Sequence, residues 1–303
     1  MGIIQTIAAT LFALALLLVW AMGGWHTPKS WKEQFTEANP PAPRTLTVIS
    51  FNTSWFYGMG SEGPGYKPVS EEHFLERIRE SANWIKSRSA DLVFMQEVDF
   101  HASRSHGVNQ LREFSKLSGL TYQAEAISWN VNYLPFPYSP TLQWGKIISG
   151  GAVLSRTPIK EQTVSLLKKP DANFFLYNQF YLFRYLQVVD LGFGLAVNLH
   201  LEAFDSVNRE EHFRELKQWI TKNADRIWIV GGDFNTSKFE GLNLSPLKRD
   251  EDSEPTFPSS GAKERLDHIW YNPKHLKPIK HEVGSSLKAS DHHPISSQFL
   301  ILK

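Results

Sequence analysis

The sequence predicts an α/β domain in which helices cover a β-sheet core, preceded by one apolar segment. Short apolar runs alternate with amphipathic segments from residue 45 onward, the pattern of strands and surface helices. Hydrophobic residues make up 42% and aromatic residues 13% of the 303-residue chain, enough for a large core. Residues 7–25 form a nearly unbroken apolar stretch unlike the rest of the chain. We therefore expect one folded domain behind one membrane or signal segment.

Residues 1–25 carry this apolar segment and contain no lysine or arginine. A helix of about 20 residues crosses the hydrocarbon layer of a membrane. The missing basic start and the length of the stretch favour a retained single-pass anchor, which would contact the membrane through residues 3–25. Ala21-Met22-Gly23 is a small-residue pattern at which a signal peptidase could cut, so a secreted or periplasmic form is the alternative.

Residues 26–44 are interpreted as a proline-containing linker. Asn39-Pro40-Pro41-Ala42-Pro43 cannot continue a helix and favours extended geometry. Lys29 and Lys32 follow the apolar segment, and the positive-inside tendency would place this flank in the cytoplasm, but two lysines do not decide the side. No second linker or repeat follows, so residues 45–303 are expected to form one domain.

The first half of this domain begins with a predicted buried strand over residues 46–51. Ser70, a preferred N-cap residue followed by two glutamates, predicts the start of a helix. A second strand is predicted over residues 92–95, and residues 133–144, rich in proline and aromatic residues, predict an ordered surface loop. The apolar face of the helix is formed by Phe74, Ile78, Ala82 and Ile85.

The second half repeats the alternation. A helix is predicted around Phe213, Leu216 and Ile220, which share one face. Apolar runs predict strands over residues 195–199, 227–230, 268–271 and 295–302.

Charge and cysteine content exclude some kinds of site. The chain has 32 basic and 31 acidic residues, a formal charge of +1, whereas a duplex-binding protein usually carries a basic excess. This balance argues against tight nucleic-acid binding without excluding a nuclease. The chain has no cysteine, which excludes disulfides, thiolate metal ligands and a cysteine nucleophile.

Polar residues stand at the ends of most predicted strands. Taken singly, an Asn or Asp there is usually a turn former, and a lone His is usually structural. Their recurrence at successive strand ends is what these readings do not explain, because sheet topology can bring such residues to one rim. The residues are Asn52, Gln96-Glu97, His200, Asp233, Asn235, Asp267 and Asp291-His292.

The residue types indicate the kind of ion that such a rim would hold. Converging carboxylates repel one another unless a cation lies among them. Carboxylate and amide oxygens suit Mg²⁺, with Mn²⁺ as a substitute, whereas zinc would favour more imidazole or thiolate. The implied chemistry is metal-assisted attack of water on a phosphorus ester.

Six motifs occur in an order that resembles the endonuclease/exonuclease/phosphatase superfamily, which includes deoxyribonuclease I. Each motif is weak alone, but together they cover residues 50–292. The resemblance implies a four-layer α/β sandwich of two mostly antiparallel sheets flanked by helices, and a metal-dependent hydrolase acting on phosphoesters. The motifs are Ser50-Phe51-Asn52, Gln96-Glu97-Val98, Asn198-Leu199-His200-Leu201, Gly232-Asp233-Phe234-Asn235, Arg265-Leu266-Asp267-His268-Ile269 and Ser290-Asp291-His292.

The resemblance also implies roles for the metal and phosphate residues. Glu97 would be the principal metal ligand, with Asn52 beside it and Asp291 nearby. Asp233 and Asn235 would orient the attacking water and hold a phosphoryl oxygen.

The histidines would serve proton transfer and charge. His292 would be the general acid/base, and Asp267 would fix its tautomer through a carboxylate–imidazole hydrogen bond. His200 would hydrogen-bond the phosphoryl oxygen as charge develops on it. His293 is interpreted as structural.

Three classes of function compete. A membrane-anchored phosphodiesterase or phosphatase acting on a lipid head group or small molecule is favoured by the near-neutral charge and the apolar segment. A deoxyribonuclease I-like endonuclease acting on nucleic acid is the alternative. A catalytically silent relative is disfavoured, because every expected catalytic position holds a competent residue. Diester and monoester substrates both stay open, and a monomer is expected.

His200 also indicates which branches of the superfamily the chain resembles. The sphingomyelinase, 5-phosphatase and deoxyribonuclease I branches resemble this chain there, whereas the exonuclease III branch usually has a tyrosine. A group of aromatic residues would form either a membrane-dipping or substrate-gripping loop or, as we favour, pack on the domain. These residues are Trp129, Tyr133, Phe136, Tyr138 and Trp144.

Overall fold

Two β-sheets packed face to face, with helices on both outer faces, form the domain in the computed structural model. The structure describes residues 2–24, 28–58, 67–137, 139, 141–239, 243–250 and 254–302. The helices are α1 (Ile3–Met22), α2 (Glu71–Ser87), α3 (Gln110–Ser118), α4 (Phe175–Phe180) and α5 (Ser206–Lys222). The strands are β1 (Ser30–Gln34), β2 (Thr45–Asn52), β3 (Leu92–Ala102), β4 (Tyr122–Leu134), β5 (Gly145–Ser155), β6 (Glu161–Leu166), β7 (Tyr185–Asp190), β8 (Leu195–His200), β9 (Ile227–Asp233), β10 (Lys248–Arg249), β11 (Asp267–Tyr271), β12 (Leu276–Val283) and β13 (Ile295–Ile301).

Each sheet is mixed and contains one parallel pair among antiparallel neighbours. The first sheet has the order β1-β6-β7-β8-β9-β11-β10 with β8 and β9 parallel, and the second has the order β12-β13-β2-β3-β5-β4 with β2 and β3 parallel. The two strands of a parallel pair end at the same edge of a sheet. The fold predicted from the family resemblance, two mostly antiparallel sheets flanked by helices, is confirmed.

The domain has four layers, helices, sheet, sheet and helices, and apolar side chains fill the space between them. Between the sheets, Val48 and Phe94 of one sheet meet Ile229 and Ile269 of the other. The outer face of the second sheet packs against α2 and α3, and the outer face of the first packs against α5. Burial on both faces explains why these strands read as continuous apolar runs.

A buried polar network pins the two sheets in register. Asn198 on β8 donates from Nδ2 to the carbonyls of Met95 and Ala152, at 3.0 and 3.1 Å, and to Gln187 Oε1 at 2.9 Å. Gln96 Nε2 donates to Asn198 Oδ1 at 2.7 Å. Gln96 Oε1 is buried without a partner, but the other polar atoms of this network are paired, and such a network in a low-dielectric core allows few alternative alignments. The network therefore fixes how the sheet edges meet.

The predicted strands and helices are present and most are longer than predicted, but the last strand ends at Ile301 and β4 extends to Leu134, into the predicted loop. Ser70 caps α2 by accepting a hydrogen bond from the backbone N–H of His73, as the sequence predicts. The structure differs from the prediction in the linker at residues 26–44, because β1 lies within this segment and pairs with β6 at the sheet edge. Trp31 on β1 packs against the cluster around Val164 and Tyr185, which gives this segment a reason to pair. Residues 26 and 27 lie outside the described residues.

The five aromatic residues singled out around the predicted 133–144 loop do not behave as one group. Trp129 and Trp144 are half-buried against the cluster that contains Val131 and Ile147. Tyr133 and Phe136 are exposed. Tyr138 lies outside the described residues.

Helix α1 is the one helix among the described residues long and apolar enough to span a membrane. None of its side chains is buried against the domain. Its C-terminal end nevertheless contacts the domain, because Asn132 Nδ2 donates to the Ala21 carbonyl at 2.8 Å. Trp25, the last residue of the predicted apolar stretch, lies outside the described residues.

Candidate active site

The carboxyl ends of β2, β8 and β9 meet at one rim of the two sheets, and β3 passes this rim within its length. β2 ends at Asn52 and β8 ends at His200, while β9 ends at Asp233, which pairs with His200 in register. Antiparallel β11 begins at Asp267 directly opposite Asp233. Hence strand pairing makes neighbours of residues far apart in the chain, such as Ser50 and Ile295 in one sheet and Asp233 and Asp267 in the other.

Asn52 bridges the two sheets at this rim. Its Nδ2 donates to Glu97 Oε1 at 3.1 Å and to Asp233 Oδ2 at 2.9 Å. Its Oδ1 accepts from the backbone N–H of Ser54 at 3.0 Å, which fixes the direction of the amide. The predicted residues Asn52, Glu97 and Asp233 are thus brought together.

Glu97 sits in a bulge of β3 with left-handed backbone geometry. Its φ is 54°, and the pairing of β3 with β5 shifts register between Met95 and Val98. Such a bulge redirects a side chain out of the regular alternation. The side chain is 32% exposed, while the predicted site residues around it are largely buried. Glu97 therefore presents the accessible carboxylate of the rim.

His292 and Asp267 form a buried pair. His292 Nδ1 lies 2.8 Å from Asp267 Oδ2, and His292 Nε2 lies 3.8 Å from Asp233 Oδ2. Burial by itself lowers the pKa of His292, but the charges of Asp267 and Asp233 outweigh burial and raise this pKa well above its usual value. The carboxylate accepts the Nδ1 proton, so Nε2 faces Asp233 and the rim.

Asp233, Asp267 and His292 form a group whose potential metal-ligand atoms all lie within 4.8 Å of one another. Burial, and then the nearby charge of Asp267, raises the pKa of Asp233 to about 7 against the opposing effect of His292. Asp267 Oδ1 is buried without a hydrogen-bond partner. Glu97 and Asp291, two of the predicted metal ligands, do not belong to this group.

The remaining predicted residues lie around the rim. Asn235 has a left-handed φ of 51°; its backbone N–H donates to Asp233 Oδ1 at 2.8 Å and its Nδ2 donates to the Leu201 carbonyl at 2.9 Å. Asp291 Oδ1 accepts from Ser290 Oγ at 3.3 Å, and the same hydroxyl lies 2.7 Å from the Asn52 carbonyl. The last motif of the chain is thereby tied to the first.

His200 lies between the acids and an arginine. Its Nε2 lies 3.4 Å from Asp233 Oδ2 and 3.8 Å from Glu97 Oε1, and it contacts Nη1 of Arg184. Burial and then the charge of Arg184 lower the pKa of His200 well below its usual value. Because a guanidinium only donates, Nε2 of this neutral histidine accepts from Arg184. A hydrogen bond donated from Nε2 to a phosphoryl oxygen would require the other tautomer.

Arg184 is a site residue that the sequence analysis missed. It is buried beside His200, and its Nε lies 3.7 Å from Glu202 Oε2. Glu202 is fully buried, and its Oε1 accepts from the Tyr181 hydroxyl at 2.7 Å. An isolated arginine before a strand carries no sequence signal, although an acid two residues after His200 indicates a nearby cation.

The donor set fits a hard divalent cation. Carboxylate oxygens dominate the rim, Glu97 is accessible, and buried Asp267 keeps an unpartnered oxygen. Among the described residues, the nearby positive side chains are Arg184, which Glu202 balances, and His292, which Asp267 balances. Oxygen donors with little imidazole favour Mg²⁺ or Mn²⁺ over zinc.

Comparison with known proteins gives a consistent family. The profile of the Endonuclease/Exonuclease/phosphatase family matches residues 49–292. No curated protein sequence matches the chain significantly.

Solved structures share the fold at low sequence identity. An endonuclease/exonuclease/phosphatase of Beutenbergia cavernae superposes with a TM-score of 0.62 at 21% identity, over 86% of this chain and 72% of that one. Truncated TDP2 of Caenorhabditis elegans gives 0.55 at 21% identity, over 84% and 97%. A mannosyl-6-phosphatase of Bacteroides thetaiotaomicron gives 0.55 at 16% identity, over 84% and 99%.

Proposed function

The chain belongs to the endonuclease/exonuclease/phosphatase family and is a hydrolase acting on phosphoester bonds, and we propose that it catalyses a Mg²⁺-dependent attack of water on a phosphodiester or phosphomonoester. One observation carries the proposal. His292 Nδ1 lies 2.8 Å from Asp267 Oδ2, and this pair lies beside Asp233. The Asn52 amide in turn joins Asp233 to Glu97. A proton carrier and an oxygen-rich ion site thus share one rim.

The metal would be held from the Glu97 side of the rim. Glu97 is the accessible carboxylate, Asn52 is bonded to it, and Asp291 reaches the same corner through Ser290 and the Asn52 carbonyl. A bound divalent cation would supply the positive charge that polarises the phosphoryl group. Mn²⁺ is expected to substitute for Mg²⁺, because both accept oxygen ligands.

The proton would be handled on the other side of the rim. Asp267 orients the His292 ring and leaves Nε2 toward Asp233, which suits a general acid/base. Asp233 is held in turn by the Asn52 amide and the Asn235 N–H, so its orientation is fixed before substrate arrives. These contacts support roles for Asp233 and Asn235 in orienting water and a phosphoryl oxygen.

Arg184 would stabilise the charge that develops on the phosphoryl oxygens, and the predicted hydrogen bond from His200 to a phosphoryl oxygen would need a ring nitrogen that carries a proton. The guanidinium is buried, permanently charged and directed at His200 by Glu202. A preorganised cation in a low-dielectric site stabilises a developing oxyanion strongly.

The proposed substrate is a lipid head group or another small phosphoester. The spanning-length helix α1 and the formal charge of +1 support this choice. Nucleic acid is the alternative substrate.

The test is a substrate panel with the full chain in mixed micelles. Hydrolysis of sphingomyelin, phosphoinositides, plasmid DNA and a chromogenic diester would be measured with Mg²⁺, after EDTA, and after Mn²⁺ is restored. We expect metal-dependent hydrolysis of a lipid or small ester, lost in EDTA. Degradation of DNA alone would overturn the lipid preference, and metal-independent or absent hydrolysis of all four would overturn the proposed chemistry.

A further inference from the structure

Three large aromatic side chains lie exposed at the start of α4. Phe174, Phe175 and Tyr177, here called the aromatic ledge, are 64%, 57% and 50% exposed. The rings of Phe174 and Phe175 lie 4.7 Å apart in an edge-to-face arrangement, so they form one apolar surface. Isolated exposed apolar residues are ordinary, but a contiguous aromatic surface indicates an interaction site.

The aromatic ledge lies next to the C-terminal end of α1. The backbone N–H of Gly24, just after α1, donates to the Gln179 carbonyl of α4 at 3.0 Å. Gln179 follows Phe175 by one helical turn, about 6 Å of rise. The Asn132 side chain fixes the same end of α1 through the Ala21 carbonyl at 2.8 Å. The end of the apolar helix and the helix that carries the aromatic ledge are therefore in contact.

This arrangement favours a lipid bilayer as the surface that contacts the ledge. Helix α1 has 20 residues, none buried in the domain, which matches the thickness of a membrane. Its C-terminal end would lie at the membrane–water interface, where aromatic side chains concentrate. We propose that the aromatic ledge inserts into the interface of the bilayer that α1 spans and holds the domain against that surface.

The ledge connects to the rim of the candidate site. The Tyr177 ring lies 5.5 Å from the Tyr181 ring, and the Tyr181 hydroxyl donates to Glu202 beside Arg184. A domain seated on the ledge would bring this side of the rim near the lipid head groups. The contact between the ledge and the membrane does not depend on the proposed catalysis, and it can be tested without measuring hydrolysis.

The absence of cysteine makes single-site labelling direct. The full chain carrying Phe175→Cys and a polarity-sensitive fluorophore would be reconstituted in phosphatidylcholine vesicles containing a nitroxide near the head group. The matched control is Ile279→Cys on β12, where Ile279 is 54% exposed at the sheet edge opposite β4. We expect a blue shift and quenching at residue 175 and neither at residue 279.

A second reporter keeps the ledge intact. Asp171→Cys labels an exposed residue just before the ledge. Quenching at residue 171 is expected in the otherwise unchanged chain and should be lost with Phe174→Ser and Phe175→Ser, while flotation with vesicles through α1 persists.

Equal quenching at residues 175 and 279, or no quenching at residues 175 and 171, overturns the proposal. Failure of the chain to float with vesicles overturns it as well. A blue shift without nitroxide quenching that rises with protein density would assign the ledge to a second copy of the chain and reject the bilayer.

Discussion

Asp267 determines which nitrogen of His292 is available for chemistry. Its Oδ2 lies 2.8 Å from Nδ1, so the ring turns Nε2 toward Asp233 and the rim. This geometry corresponds to the role that the sequence predicts for the pair, and that role stays a prediction until it is measured.

Replacing His292 by alanine should lower kcat by about 10³-fold, within the usual range for a general acid/base. Asp267→Asn should also lower kcat, because the carboxylate charge that stabilises the charged ring is lost. Hydrolysis of a chromogenic diester with saturating Mg²⁺ measures both. Exposed His101→Asn is the control, and near-normal turnover of the His292 variant would refute the role.

Glu97→Gln should change metal activation more than substrate binding. The amide removes the negative charge of the accessible carboxylate but keeps its shape, so half-maximal activation should need a Mg²⁺ concentration about tenfold higher, a loss of about 1.4 kcal/mol in binding. Titration of activity with Mg²⁺ measures this shift. If the titration curve superposes on those of the parent chain and the exposed Glu76→Gln control, Glu97 is not a ligand.

The identities of the candidate residues were predictable, and one important neighbour was not. Asn52, Glu97, His200, Asp233 and His292 stand in motifs whose order indicates a common site. Arg184 has no motif, and its significance arises only from its contact with His200.

At the scale of single elements, the parallel pairs within mixed sheets place the site. The β8–β9 pair ends at the rim, and the β2–β3 pair stops there at Asn52 and Gln96 although β3 continues to Ala102. The Asn198–Gln96 hydrogen bond joins the two pairs. The predicted linker contains a strand that its own sequence does not indicate. β1 is mostly polar and exposed, and it forms a strand because the edge of the sheet at β6 is available for pairing.

Asn198→Ala should lower the free energy of unfolding by about 3 kcal/mol, because buried carbonyls and Gln96 lose their partner. Urea unfolding followed by tryptophan fluorescence measures the loss. Ser70→Ala, which removes only the N-cap of α2, should cost about 1 kcal/mol. An Asn198 variant no less stable than the Ser70 variant would show that the network does not hold the sheets.

At the scale of the whole molecule, stability should depend on pH through buried His268. Burial, and then the charge of Arg265, lowers the pKa of His268 to about 3. In the unfolded chain His268 binds a proton near pH 6.5, whereas in the folded chain it stays neutral down to about pH 3. The free energy of unfolding therefore falls as the pH drops from 6.5 toward 3. Between pH 6.5 and 5 this amounts to at most about 2 kcal/mol.

His268→Asn should be less stable near neutral pH but flatter in this window. Urea unfolding at several pH values gives the slope, and exposed His101→Asn is the control. The same steepness in the His268 variant and the parent would show that His268 does not contribute.

The family, the α/β architecture and the apolar helix are predictable from the amino-acid order, because strand periodicity and short motifs are local properties. The folded domain alone shows that Asn52 joins Glu97 to Asp233, that Arg184 faces His200, and that the aromatic ledge adjoins the end of α1. These contacts connect residues far apart in the chain, and strand order and sheet packing alone bring them within bonding distance.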